Sequence, residues 1–71
     1  MKNIDNPKII IENLKSAIDL EKNTIINYTR YAKEAENIDS PDIAEVFRKY
    51  AIAAEKHTDV LKNVLNEQSV Q

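Results

Sequence analysis

Cysteine and glycine are absent from this chain of 71 residues, and proline occurs only twice. Without cysteine there is no disulfide framework, which fits a reducing cytoplasm. Without glycine there is no Gly-rich phosphate loop, and no arrangement of Ser, His and Asp suggests a nucleophilic triad. No apolar run approaches the roughly 20 residues that a bilayer span requires, and the amino terminus lacks the hydrophobic core of a secretion signal. We therefore expect no membrane partner. Charge of one sign is also missing: ten basic and twelve acidic side chains leave a formal charge of −2. They are interspersed, so the basic face that nucleic acid demands is not visible and no nucleic-acid partner is expected.

What the chain does have is helix-forming composition, 42% hydrophobic, in one small domain covering residues 1–71. Asn6-Pro7 reads as a helix start, because Asn caps free backbone N–H groups and Pro at the first helical position sacrifices no hydrogen bond. Ser40-Pro41-Asp42 repeats that punctuation, with Asp42 near the positive end of the helix dipole. The spacing predicts one helix over about residues 7–37 and a second over about 41–67, joined by a short connection at Ile38 and Asp39. Met1 to Asp5 and Gln68 to Gln71 read as frayed tails. So short a connection makes the helices antiparallel neighbours.

Each helix carries a heptad stripe. The first reads Ile11, Leu14, Ile18, Glu21, Ile25, Tyr28, Ala32 and Ala35; the second reads Ile43, Phe47, Tyr50, Ala54, His57, Leu61 and Val64. One strongly polar residue interrupts each, Glu21 and His57. Asp39 lies equally far in sequence from both, so an antiparallel hairpin sets the carboxylate and the imidazole at the same height, facing one another inside an apolar seam. Further apolar or small columns, Ile10, Ala17, Tyr31 and Ile38 on one helix and Val46, Ala53 and Val60 on the other, make the stripe wider than one partner helix covers. The fold class expected is therefore all-α: an antiparallel two-helix hairpin that pairs with a second copy, as a homodimer or higher homo-oligomer, to close a four-helix bundle.

An ionised carboxylate buried without a partner costs several kcal/mol, so Glu21 needs a donor, a cation or its own proton. Carboxylate oxygen with neutral imidazole nitrogen suits iron, manganese or zinc. The alternative is a metal-free dimerisation module in which Glu21 and His57 form a buried pair fixing helix register. Periodicity alone weighs these equally, since two ligands per chain make a site only when a dimer doubles them. Tyr28 and Tyr50, one heptad from the polar positions, should line the seam. Glu34, Glu36, Glu45 and Glu55 fall on outward positions, where solvation is the simplest reading.

The run Ile18-Asp19-Leu20-Glu21 followed by Tyr28, together with Ile43-Ala44-Glu45-Val46-Phe47 leading to Glu55-Lys56-His57, resembles the rubrerythrin-like branch of the ferritin superfamily over about Leu14 to Leu65. A single hairpin is similar to the half-ferritins, notably encapsulated ferritin. The resemblance implies a ferritin-like bundle, iron as cofactor and substrate, and oxidation of Fe(II) to Fe(III) for storage at a di-iron site shared between two chains. It makes Glu21 and His57 the catalytic and metal-binding residues and gives Tyr28 the part of a hydrogen-bond donor that orients a carboxylate. It also raises a cytoplasmic protein nanocompartment as a setting, although no carboxyl-terminal tail of the kind that docks to an encapsulin shell is evident. A peroxide-reducing role would call for a Cys-rich electron-donor segment, which the chain lacks.

One departure matters. The family's Glu-x-x-His motif has its Glu three residues before the His, and that position is Ala54 here. Glu55 is turned by about 100° from the seam and does not substitute. An intact dimeric site holds six side chains around two irons, whereas this chain supplies Glu21 and His57 twice. Ala54 is thus a vacant ligand position, and weaker or single-metal binding with impaired ferroxidase activity is expected. A natural loss of the ligand, an introduced substitution, and ordinary close packing in the run Ala51-Ile52-Ala53-Ala54 all fit.

Overall fold

The computed structural model describes residues 7–69, which form two long helices, α1 (Pro7–Asn37) and α2 (Pro41–Ser69). Asn6 and the tails at Met1 to Asp5 and at Val70 and Gln71 lie outside the described residues. Gln68 and Ser69, expected to fray, instead continue α2 beyond Glu67.

The turn between the helices satisfies several of their free backbone groups. Asp39 takes the left-handed conformation, φ 59°. That lets the Ser40 N–H donate to the Ala35 carbonyl at 2.8 Å and the Asp39 N–H to the Glu36 carbonyl at 3.1 Å, the paired bonds of a Schellman motif closing α1. The chain then starts α2 at once: the Ser40 carbonyl accepts from the Ala44 N–H at 3.0 Å, so Ser40 is the capping residue and Pro41 the first helical one. Arg48 ties the two helices near this turn through an ion pair to Glu36, and it lies 3.7 Å from Glu45 on its own helix. These partners are solvated and contribute little.

Along the seam, α1 behaves as its stripe predicts. Ile18, Ala32 and Ala35 are buried, and Ile11, Leu14, Glu21, Ile25 and Tyr28 are half-buried. Helix α2 does not. Its buried line is Ala44, Ala51, Ala54 and Thr58, with Phe47, Leu61 and Leu65 half-buried, whereas Ile43, Tyr50 and His57 of the expected stripe are exposed. The physical reason is size. Columns 43-50-57 and 44-51-58 are adjacent on the helix, and the second carries the smaller side chains. Two helix axes approach most closely over small residues, so α2 rotates to put Ala44 and Ala51 against α1.

This rotation leaves one long face of the hairpin apolar and open. Ile10, Ile38, Ile43, Val46, Tyr50 and Val60 are all more than two-fifths exposed. A rod of 55 × 16 × 15 Å with no large side chain fully buried among the described residues has a core of little more than alanines. The opposite side differs in kind. There Ile25 and Ile52 form the floor of a groove rimmed by Lys22, Lys33, Glu36, Arg48, Glu55 and Lys62. No helix among the described residues is long and apolar enough to cross a membrane.

Candidate metal centre

Glu21 and His57 meet across the hairpin at the middle of the open apolar face. The residue at the centre of α1 is Lys22 and that at the centre of α2 is Glu55, so each polar residue lies within a turn of its helix midpoint. Glu21 Oε2 stands 3.6 Å from His57 Nδ1. That separation exceeds a hydrogen bond, so the two groups share a site without being bonded to each other. The Glu21 side chain is 27% exposed and that of His57 64%. His57 therefore lies on the flank of the seam rather than inside it, a correction that follows from the rotation of α2 described above.

The two residues border a groove of about 360 Å³ together with Thr24, Tyr28, Tyr50, Ala53 and Ala54. Ala54 is 3% exposed, and its carbonyl accepts a hydrogen bond from the buried Thr58 hydroxyl at 2.9 Å. Glu55 lines the opposite groove, beside Ile52 and Lys62, and cannot reach the pair. Among the described residues no three His, Cys, Asp or Glu side chains come together as a metal-binding group. Among the described residues, Glu21 and His57 are the two candidate donors lining this groove.

All the aromatic side chains of the protein gather beside this groove. The Tyr28 ring lies 5.8 Å from that of Phe47, stacked, and 5.5 Å from that of Tyr50 and 5.9 Å from that of Tyr31, both edge-on. These contacts hold the Tyr28 ring firmly, and the structure contains no hydrogen bond between Tyr28 and Glu21. Thr24, which the sequence reading passed over, also lines the groove, its hydroxyl donating to the Leu20 carbonyl at 3.0 Å. Its signal was present: Thr24 fills the heptad step between Ala17 and Tyr31, where a polar residue does not register as part of an apolar column.

The chain matches the rubrerythrin family model over residues 12–71. The chain belongs to the rubrerythrin family. Neither a curated protein nor a solved structure matches it. Rubrerythrin-family membership places the chain among ferritin-like di-iron proteins in general, with iron as the metal that such proteins typically bind. Within one chain the donors fall short of a di-iron pair, because Glu21 is the sole carboxylate lining the groove.

Proposed function

We propose that this protein is a half-ferritin of the iron-oxidising and iron-storing type, akin to encapsulated ferritin, whose metal site is completed by a second copy and whose ferroxidase activity is impaired by Ala54. The observation that carries this reading is the 3.6 Å approach of Glu21 and His57 at mid-length of an open apolar face. A twofold axis through that level, perpendicular to the helices, sets two such pairs against one another while covering the face from end to end. The long side of a 55 × 16 × 15 Å rod offers on the order of 800 Å², what one partner contributes to a standard interface. The charged rim makes the opposite side the poorer candidate.

In this reading Fe(II) is the substrate, and its oxidation to Fe(III) by an external oxidant is the chemistry. Glu21 supplies carboxylate oxygen and His57 a neutral imidazole nitrogen, while Tyr28 and Tyr50 wall the groove and exclude water from it once the partner is in place. The missing carboxylate at Ala54 removes two of the six ligands that a dimer of this family needs. Anaerobic loading with Fe(II) should give no more than one iron per dimer and slow oxidation on admitting air; Ala54→Glu should give two irons and rapid oxidation. An Ala54→Glu protein that takes up no additional iron sinks the missing-ligand account.

The direct approach of Glu21 to His57 also supports a second reading, a metal-free dimer in which this pair fixes register. In that case dimerisation does not respond to a chelator.

A further inference from the structure

Donor number, charge and spacing at Glu21 and His57 together point to a different occupant from the iron pair of the family. We infer that the dimer holds one four-coordinate divalent ion of the zinc class, ligated by Glu21 and His57 of each chain, and that this ion is a cross-link controlling assembly. The inference rests on the dimer proposed above and competes with iron turnover there, because the same four ligands cannot hold this ion and Fe(II) at once.

Two chains supply two carboxylates and two imidazoles, four donors of the oxygen and nitrogen types that closed tetrahedral sites use. Charge gives the same count. Two carboxylates neutralise one dication, so the complete site is uncharged beside the Tyr28, Tyr50 and Ala53 side chains that line the groove. A pair of Fe(II) ions would leave two positive charges uncompensated in that setting, a strongly unfavourable burial. Glu21 is the sole carboxylate lining this groove: Glu55 lines the opposite one, and Glu34 borders the turn end near Ile38 and Ile43.

Spacing agrees. An ion with bonds of about 2.1 Å separates neighbouring donors by about 3.4 Å in a tetrahedron and by about 3.0 Å in an octahedron. Glu21 Oε2 and His57 Nδ1 stand 3.6 Å apart, close enough for one ion to take a ligand from each. Both donors open onto the face that a second copy would cover, with His57 64% exposed. A single hairpin therefore offers half a coordination shell and binds weakly, and the full shell exists only in the dimer. Metal binding and dimerisation are consequently linked, each strengthening the other by the same factor.

The test is to strip the full-length chain with a chelator and then titrate it with Zn(II) and with Co(II) while following sedimentation equilibrium and visible absorption. The expected result is saturation at one ion per two chains, the intense d–d absorption of four-coordinate Co(II), and a dimer dissociation constant about 100-fold lower at free Zn(II) about 100 times its own dissociation constant. His57→Gln and Glu21→Gln, checked for helicity by circular dichroism, should still dimerise through the apolar face but lose the metal dependence. A dimer that takes two ions, or gives the pale spectrum of six-coordinate Co(II), overturns the single-ion inference and leaves the dimer standing. A chain that dimerises equally with and without metal also overturns it, and one that stays monomeric throughout removes the dimer as well.

Discussion

At the scale of single residues, the proposed chemistry turns on position 54. Ala54 lies 3% exposed on the line of closest helix approach, yet it borders the groove that holds Glu21 and His57. A Glu there must direct its carboxylate into the groove, beside that of Glu21, and crowd the seam. Ala54→Glu should therefore lower the stability of the metal-free protein by about 1–3 kcal/mol, through overpacking and like-charge repulsion, and Fe(II) should restore it. Thermal unfolding with and without Fe(II) checks this, and a variant as stable as the parent without metal contradicts it. Much of the site was legible at this scale. Glu21 and His57 stood out as polar interruptions of apolar columns, their common height followed from the position of Asp39, and Glu55 could be set aside because one residue turns a helix side chain off the stripe. The exposure of His57 was not legible. Periodicity selects the column 43-50-57, whereas the close backbone approach that Ala44 and Ala51 permit favours the adjacent column 44-51-58.

At the scale of elements, the two helices and their turn follow from local signals. Pro41 after Ser40 starts α2 where expected, and α1 closes at Asn37. The closing motif itself was less legible, since it usually advertises itself with glycine and this chain has none. Asp39 occupies the left-handed position instead, φ 59°, at a cost that glycine would avoid. Asp39→Gly should accordingly stabilise the hairpin by about 1 kcal/mol, raising its melting temperature by roughly 4–8 °C. Calorimetry at fixed protein concentration measures this; an unchanged or lower melting temperature would mean that the Asp39 side chain contributes more than its backbone costs. The last turn of α2 ran past the predicted boundary because Gln68 and Ser69 carry no stop signal, neither glycine nor proline following them.

For the whole molecule the question is which face is covered. The width of the apolar stripe already implied that one hairpin is half of a bundle, but the division between its two sides needed three dimensions: one side is apolar with Glu21 and His57 at its centre, and the other carries a charged rim. Val46, 46% exposed on the open face, and Ile52, 51% exposed on the rimmed side, make a matched pair for testing this. Val46→Lys should weaken dimerisation at least about 100-fold, because a lysine ammonium is then forced into an apolar interface. Ile52→Lys should leave dimerisation nearly unchanged. Equal effects from both variants in sedimentation equilibrium would show that the chosen face is wrong.

The most direct measurement of the central claim is native mass spectrometry of the metal-loaded full-length chain. It should record a species of two chains carrying bound metal, with the metal lost in His57→Gln while a weaker dimer persists. Single hairpins that bind no metal, at concentrations where circular dichroism shows the helices intact, would contradict a site shared between two copies of Glu21 and His57.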